Sequence, residues 1–475
     1  MLEQHIREQM NAVVGDKWFK DDQESLVSYS YDATPLYQSM PDAVIFPGST
    51  QEVSDIVKIC AAHSIPIVGR GAGSNLCGGT VPLKGGVVLV MTRMNKLLEI
   101  DSENLTATFQ AGLNTKQFHM TVERTGLFYP PDPSSMIICT MGGNIALGAG
   151  GLRGLKYGTT KDYVLGLEAV MPDGSILRTG GKLVKDVAGY DLTRLLVGSG
   201  GTLAIITEAT VKLIPKPVYR RAMVAMYDDL EAAAKTVSNI IANHMFPCTL
   251  EFMDQPTLQV VEDFAKIGLP VEAKAMLAIE QDGTVEDVER DLKKIEEICM
   301  ASGAVQMRVA SSPEEGAKVM EARRSALAAL SRLRPTTILE DATVPRSKIA
   351  EMVGEVQRIA AKHQVQICTF GHAGDGNLHP TAMTDARNPE EIHRVEQAFA
   401  EIFEAAIAMG GTITGEHGVG NVKAPYLEWK VGAAGMDMMK RIKEAIDPQG
   451  IMNPGKMFAE TRKRIVVQEP KLTGV

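Results

Sequence analysis

Residues 140–162 read TMGGNIALGAGGLRGLKYGTTKD and carry glycine at positions 142, 143, 148, 150, 151, 154 and 158. Glycine loses more backbone entropy on folding than any other residue, so a stretch this rich in glycine is costly unless the backbone must approach something closely. A large flat ligand is the natural reason. The stretch therefore predicts a ligand-binding loop, with Asn144 and Tyr157 as its candidate contact side chains.

A second glycine loop, GRGAGSNLCGG at residues 69–79, follows the apolar strand-like stretch IPIVGR. A Rossmann phosphate site needs a helix directly after its loop, whereas the helix predicted here precedes the strand, and the third glycine of the motif is missing. The loop can still offer successive backbone N–H groups to an anion, with Ser74 and Asn75 as further donors. A tight structural turn is the alternative interpretation.

The pattern of apolar residues predicts an α+β protein of more than one domain. Residues 1–217 mix short strands and helices, and IPKP at 214–217 marks a boundary. Residues 218–423 form a second α+β domain, for which we expect helices on one side of a sheet. Its long helical stretches are 229–243, 285–302, 313–333, 347–363 and 388–409. Residues 424–475 form a C-terminal helical segment.

Composition excludes several classes of protein. The net charge of −9 over 475 residues, without a concentrated basic stripe, argues against nucleic-acid binding. No run of about 18 apolar residues predicts a transmembrane helix, and the N-terminus lacks the apolar core of a signal peptide. The six cysteines form no CxxC pair, which excludes an iron–sulfur or zinc-knuckle motif and fits a reducing cytoplasm.

The segment ICTFGHAGDGNLHPTAM, residues 367–383, predicts a hairpin with Asp375-Gly376 as its two-residue turn. That register places His372 opposite His379, where Cβ atoms lie about 5 Å apart. Two imidazoles at this distance can bind one divalent ion. Two solvated hairpin histidines are the alternative.

Glu416 and His417 are adjacent in GGTITGEHGVG, residues 410–420. Because neighbouring side chains of an extended segment point to opposite faces, we expect only Glu416 to join the two histidines as a metal ligand. His417 is then free to act as a base. Arg323 and Arg324 lie on a predicted helix and are the candidate cations for a substrate carboxylate.

Seven stretches together resemble the FAD-linked oxidase family, typified by the flavin subunit of glycolate oxidase and by D-lactate and D-2-hydroxyglutarate dehydrogenases. They are RGAGSNLCGG, GGNIALGAGG, KYGTTKD, AGYDLTRLLVGSGGTL, GHAGDGNLHP, GEHGVG and NPGKMF. The resemblance implies a vanillyl-alcohol-oxidase-like fold. FAD lies across two α+β subdomains, a substrate domain covers it, and the C-terminal segment returns to the flavin domain.

The resemblance also implies roles for individual residues. The expected FAD-binding residues are Arg70, Gly71, Ala72, Gly73, Ser74, Asn75, Gly78, Gly142, Gly143, Asn144, Gly150, Gly151, Tyr157, Gly158, Ile206 and Asn453. Neither glycine loop contains a histidine that could tether the flavin, so non-covalent binding is expected. His372, His379 and Glu416 would bind zinc, manganese or iron. His417 would be the catalytic base, and Arg323 the clamp for the substrate carboxylate.

The expected reaction is oxidation of a small D-2-hydroxy acid, glycolate or D-lactate, by metal-assisted hydride transfer to flavin N5. Some dicarboxylate-oxidising relatives place a lysine near position 339, where this chain has leucine, and this difference favours a short monocarboxylate as the substrate. Electrons are expected to pass to an iron–sulfur or flavoprotein partner, in a cytoplasmic complex that could associate with the membrane through its other subunits. The alternatives are a D-2-hydroxyglutarate-type dehydrogenase, a family member with another substrate class, a flavin-free metallohydrolase and a non-catalytic subunit.

Overall fold

The computed structural model describes residues 2–458. The strands of its first half are β1 (Phe19–Lys20), β2 (Ala43–Ile45), β3 (Ile67–Arg70), β4 (Val87–Val90), β5 (Leu97–Asp101), β6 (Thr106–Gln110), β7 (Leu127–Phe128), β8 (Val164–Val170), β9 (Ile176–Gly180), β10 (Ile205–Lys212) and β11 (Ile214–Pro215). Those of its second half are β12 (Tyr219–Tyr227), β13 (Thr249–Asp254), β14 (Ala275–Gly283), β15 (Gln306–Val309), β16 (Thr336–Leu339), β17 (Ala342–Thr343), β18 (Ile367–His372) and β19 (Asn377–Thr384).

The α-helices lie in both halves of the described chain. They are α1 (Gln4–Val14), α2 (Gln23–Ser28), α3 (Thr50–Ala62), α4 (Thr115–Glu123), α5 (Met141–Leu147), α6 (Gly154–Tyr157), α7 (Leu192–Leu196), α8 (Leu230–Ala242), α9 (Gln255–Ala265), α10 (Val285–Ala301), α11 (Pro313–Arg324), α12 (Ala326–Leu330), α13 (Ile349–His363), α14 (Pro389–Ala408) and α15 (Leu427–Ile446). The fold is α+β, as predicted.

The first half contains two main sheets that meet at the glycine loops. Strands β2, β4 and β3 run parallel, with β1 antiparallel at the edge, and α1 and α3 pack on this sheet. The antiparallel sheet has the order β5-β6-β10-β8-β9 and packs against α4 and α5. Ser49 caps the start of α3, because its side chain accepts a hydrogen bond from the Glu52 N–H, and α3 precedes β3. The helix thus comes before the strand that leads into the glycine loop, which confirms the prediction that this loop is not a Rossmann phosphate site.

The second half is built on one large antiparallel sheet of order β15-β12-β14-β13-β18-β19-β16, with β17 pairing β19. The prediction of helices on one side of this sheet is wrong. Residues 222–227 of β12 are all buried, and successive side chains of a strand point to opposite faces of the sheet. Both faces therefore need a covering layer. One face packs against α8, α10, α13 and α14, and the other against α9, α11 and α12.

The chain returns to the first half at its described end. After α15, Met452 forms a parallel bridge with Ile67, and the Asn453 N–H donates to the Ile67 carbonyl oxygen at 2.7 Å. The helix predicted over 313–333 is interrupted at Ser325, which separates α11 from α12. Residues 459–475 of the predicted C-terminal segment lie outside the described residues. The domain boundaries at 217 and 423 stay predictions.

Candidate active site

A cavity of about 510 Å³ lies between the two halves and is lined by both glycine loops. This volume is in the range of cofactor and small-molecule sites. The predicted site residues in its wall are Arg70, Gly71, Ala72, Gly73, Ser74, Asn75, Gly142, Gly143, Asn144, Ile206, Arg323, His379, Glu416 and His417. Residues expected to bind a cofactor, a metal ion and a carboxylate thus share one cavity.

The first glycine loop is shaped by the Arg70 guanidinium beneath it. Arg70 Nη1 donates to the carbonyl oxygen of Tyr31 at 2.6 Å. A side chain at Gly73, where φ is +72°, would clash with this guanidinium, and one at Gly71 would clash with Thr140 of the second loop. Burial lowers the pKa of Arg70 from its ordinary value. The loop combines a cation with closely approachable backbone, which suits the pyrophosphate of FAD.

The second glycine loop lies on the adjacent part of the wall. The side chain of Thr140 accepts the Gly143 N–H at 3.2 Å and so caps the start of α5. A side chain at Gly142 would clash with the backbone of Ala111. The Asn144 amide donates to the Thr115 hydroxyl at 2.9 Å. Backbone with little side-chain cover therefore forms this surface, as a flat isoalloxazine ring requires.

Gly150 and Gly151 are not among the wall residues, although they were expected to line the flavin. A Cβ atom at Gly150 would lie 2.6 Å from Glu416 Oε2, and one at Gly151 would lie 2.6 Å from the Asp132 backbone. These glycines are needed where the first half passes closely against the predicted metal ligand and against the Asp132 loop.

The other expected cofactor residues outside the wall are Gly78, Tyr157, Gly158 and Asn453. The Tyr157 hydroxyl lies 2.9 Å from both carboxylate oxygens of Asp282 on β14, so it joins the two halves. The Asn453 amide donates to the carbonyl oxygens of Gly79 and Gly200 at 2.9 and 2.7 Å. Both side chains hold segments that surround the cavity.

The hairpin of β18 and β19 has a different register from the predicted one. Residues 373–376 form the connection, so His372 pairs with Asn377 and His379 pairs with Phe370. Asp375-Gly376 is therefore not a two-residue turn. His372 and His379 are diagonal neighbours on one face, and their ring centroids lie 5.1 Å apart. The expected proximity of the two histidines is confirmed, but through the diagonal pairing.

His372, His379 and Glu416 converge on one point. His372 Nε2 lies 3.0 Å and His379 Nε2 lies 3.4 Å from Glu416 Oε1. His372 Nδ1 is hydrogen-bonded to Glu251 Oε1 at 2.8 Å. Two imidazoles and a carboxylate within this distance fit a divalent ion such as zinc, manganese or iron. Glu251 is the kind of buried carboxylate that usually accepts the second ring N–H of a metal-binding histidine.

Glu416 and His417 do not point to opposite faces, so that prediction is wrong. His417 Nε2 lies 4.0 Å from Glu416 Oε1, and the His417 ring stacks on His379 with 5.0 Å between centroids. Asp341 explains the bend, because its Oδ2 accepts the backbone N–H groups of residues 415–417 at 2.8–2.9 Å. The chain here is curled around a carboxylate and is not extended.

The charges of the cluster shift the pKa values in opposite directions. Burial disfavours the charged form of every member, but Glu251 and Glu416 outweigh it and raise the pKa of His372 well above its usual range. His372 and His379 in turn hold the pKa of Glu416 well below its usual range. Burial dominates at His417 and lowers its pKa to about 4. His417 is therefore neutral at pH 7.

Arg323 is held inside the cavity wall by a carboxylate. It is 2% exposed, and its Nη2 lies 2.6 Å from Glu251 Oε2. The guanidinium also lies over the Phe370 ring, 4.7 Å from the centroid. Since Glu251 contacts His372 as well, one buried carboxylate links the predicted substrate cation to a predicted metal ligand.

Arg324 also lies in the wall and is bound from the other half of the chain. Its Nη2 donates to Asp132 Oδ2 at 2.6 Å. Asp132 is fully buried and also accepts the Arg153 N–H at 3.1 Å. Both arginines of the predicted pair thus line the cavity, each fixed by its own carboxylate.

Two family models match most of the chain. The model described as FAD binding domain matches residues 41–180, and that described as FAD linked oxidases, C-terminal domain, matches residues 216–457. The chain belongs to the FAD-linked oxidase family. It is an FAD-dependent oxidoreductase.

Relatives of this FAD-linked oxidase include named enzyme subunits. It is 62% identical to the glycolate oxidase subunit GlcD of Bacillus subtilis, over 98% of this chain and 100% of the relative. The GlcD subunit of Escherichia coli K12 is 36% identical over 91% and 87% of the two chains. The D-lactate dehydrogenase of Anaerostipes hadrus is 35% identical over 94% of each chain.

Solved structures support the fold of this oxidase. p-Cresol methylhydroxylase superposes with a TM-score of 0.81 over 96% of both chains at 18% identity. Alkyldihydroxyacetonephosphate synthase superposes with a TM-score of 0.75 over 96% of this chain and 86% of the other, also at 18% identity. Among residues 2–458, none of the helices is both long and apolar enough to cross a membrane.

Sequence reasoning missed three buried carboxylates of the oxidase site, namely Asp132, Glu251 and Asp341. Two of them carried a signal in the sequence. Glu251 interrupts the apolar stretch TLEFMD of β13, and Asp341 lies two residues after the buried end of β16, behind Glu340. An acid inside or just after a buried strand needs a partner, and such a partner is commonly functional.

Proposed function

We propose that this FAD-linked oxidase converts a small D-2-hydroxy acid, glycolate or D-lactate, into the 2-oxo acid. The observation that carries the proposal is a cavity whose wall contains His379, Glu416 and His417 together with Arg323 and both glycine loops. His372 lies behind this wall, with its Nε2 3.0 Å from Glu416 Oε1. The names of the relatives from Bacillus subtilis and Anaerostipes hadrus support the same substrate class.

Two groups would act together with these residues. Bound FAD would supply the acceptor for the two electrons removed from the substrate. A divalent ion on His372, His379 and Glu416 would supply the Lewis acidity that makes a hydroxyl proton easier to remove.

The chain's own residues would orient the substrate and take up its proton. Arg323 would hold the carboxylate, and the Glu251 contact keeps the guanidinium in place before substrate arrives. His417 Nε2 faces Glu416 and would accept the hydroxyl proton. Burial keeps His417 unprotonated at neutral pH, so its lone pair is available.

The wall also bears on the size of the substrate. Leu327, Leu339 and Phe370 are apolar parts of the same cavity wall, and the Phe370 ring lies 5.5 Å from that of His379. Apolar side chains here favour a hydrogen or methyl substituent on the reacting carbon. D-2-hydroxyglutarate is the second candidate. Arg324 favours it, because a second guanidinium in the same wall could pair with a second carboxylate.

Anaerobic mixing tests the proposal. Purified FAD-loaded protein is mixed with glycolate, D-lactate, L-lactate, D-2-hydroxyglutarate and a 4-alkylphenol, and the visible flavin absorbance is followed. Rapid bleaching by glycolate or D-lactate is the expected result, with dithionite as the control for complete reduction. A protein that dithionite bleaches but none of the 2-hydroxy acids does would refute the proposal.

We further propose that the electrons pass to an iron–sulfur or flavoprotein partner. The relatives from Bacillus subtilis and Escherichia coli are named as subunits, which supports an assembly with other chains. Faster turnover with an artificial acceptor dye than with oxygen is the expected result. Turnover with oxygen that matches the dye rate would contradict it. The cytoplasmic location stays a prediction.

A further inference from the structure

The His379 and His417 rings lie parallel between two carboxylates. Their planes differ by 12° and their centroids are 5.0 Å apart. At one end, each Nδ1 atom lies 3.9 Å from an oxygen of Asp341. At the other end, their Nε2 atoms lie 3.4 and 4.0 Å from Glu416 Oε1. One end of each ring therefore faces Asp341, and the other faces the predicted metal ligand.

The two Nδ1 atoms are buried polar atoms in need of a partner. Within residues 2–458, neither His379 Nδ1 nor His417 Nδ1 has a hydrogen-bond partner. A buried polar atom left in this state is costly. The acceptor that faces both is the Asp341 carboxylate, and a movement of about 0.7 Å would bring each Nδ1 within about 3.2 Å of it, the upper limit of an ordinary hydrogen bond.

Asp341 is itself fixed in a way that suits orientation better than metal binding. Its Oδ2 accepts the Thr414 hydroxyl at 2.7 Å and three backbone N–H groups from residues 415–417, and its Oδ1 accepts the Asn377 amide at 2.5 Å. A metal ion on Asp341, His379 and His417 would have to displace several of these donors. The carboxylate is fully buried, so its position is set by this network.

We propose that Asp341 is the shared positioning residue of His379 and His417. It holds a proton of each ring on Nδ1, which leaves the Nε2 atoms, on the side of Glu416, to offer their lone pairs. A ligand histidine and a base both require that lone pair. The proposal deepens the proposed function, because it assigns the group that makes one ring a metal ligand and the other a proton acceptor.

The tautomers can be read directly. FAD-loaded protein labelled with ¹⁵N-histidine and freed of metal by a chelator is studied at neutral pH by long-range ¹H–¹⁵N correlation. The chain has 9 histidines, and the His379→Gln and His417→Gln variants assign the two signals. Both rings are expected to show the Nδ1–H pattern. An Nε2–H pattern for either ring in the wild-type protein overturns the proposal, even if no Asp341 variant folds.

Variants then test whether Asp341 is the cause. Asp341→Asn should move both rings toward the Nε2–H tautomer and weaken metal binding about 10–100-fold. His372 is an internal reference, because its Nδ1 bonds to Glu251 and not to Asp341, so its signals should not change. Glu340→Gln is the matched control, since it removes the neighbouring buried acid beside the same Lys423.

The outcomes separate this inference from the proposed reaction. Tautomers that are unchanged in Asp341→Asn, or equally changed in Glu340→Gln, overturn the role of Asp341. The spectra need no substrate. A protein with Nδ1–H tautomers that oxidises no 2-hydroxy acid would keep the positioning role and reject the proposed reaction.

Discussion

Gly150→Ala should weaken the predicted metal site although it replaces none of the ligands. The new methyl carbon would lie 2.6 Å from Glu416 Oε2 and 3.2 Å from Glu416 Cβ. Since relaxed contacts between such atoms lie near 3.5 Å, the carboxylate must retreat by roughly 0.5–1 Å. Gly150 is not among the residues with positive φ, so the backbone accepts alanine and the effect is steric.

The displacement sets the expected size of the effect. Functional groups need placement within about 0.5 Å, and an error of about 1 Å can cost about 100-fold. We therefore expect metal affinity and turnover to fall about 10–100-fold, with the FAD content unchanged. Competition with a chelating dye measures the first, and anaerobic flavin reduction the second.

A control and a refuting result complete the test. Gly354→Ala lies in α13 with open space around the added methyl, so it should keep the wild-type metal affinity. If Gly150→Ala binds metal as tightly as the wild-type protein, the steric reasoning is refuted. If both variants lose metal to the same degree, the effect does not arise at Glu416.

Four further predictions follow from the same contacts. Removal of metal by a chelator should abolish turnover while the protein keeps its flavin spectrum, and zinc, manganese or iron should restore it; full activity in the chelated protein would exclude the metal. Glu251→Ala leaves the buried Arg323 without its carboxylate, so it should lower the free energy of unfolding by about 3–5 kcal/mol, as followed by urea denaturation. Tyr157→Phe loses the contacts with Asp282 and should lower stability by about 1–3 kcal/mol with normal FAD affinity, whereas weaker FAD binding would return Tyr157 to the cofactor site. Burial raises the pKa of Asp254 from 3.8 to about 6, so the folded protein keeps this proton up to a higher pH than the unfolded chain; the stability due to this group falls as pH rises between those values, and Asp254→Asn should flatten that part of a thermal-midpoint profile.

The α+β class, the hairpin histidines and the cavity-lining glycines could be predicted because each depends on local sequence. Gly71 and Gly142 stand out by composition alone, and the family motifs add their order along the chain. The Rossmann reading could be rejected because α3 precedes β3, which is visible in the apolar periodicity.

The remaining features depend on contacts between distant residues. The extended conformation assumed for Glu416 and His417 fails because Asp341, about 75 positions earlier, bends that segment through three backbone N–H groups. The hairpin register fails because a four-residue connection replaces the favoured two-residue turn. The second helical layer was missed although β12 is apolar on both faces, because the pattern of one strand does not say whether a helix, a second sheet or another domain covers each face.

Gly150 belongs to the same glycine stretch whose earlier residues line the cofactor cavity, and it rests against the carboxylate expected to hold the ion. Binding of the cofactor in the cavity is then linked to binding of the ion at Glu416, because a cofactor that orders the glycine stretch also fixes the position of the Glu416 carboxylate. Such coupling is reciprocal by thermodynamic necessity. Whatever factor the loss of metal costs in flavin affinity, the loss of flavin must cost the same factor in metal affinity.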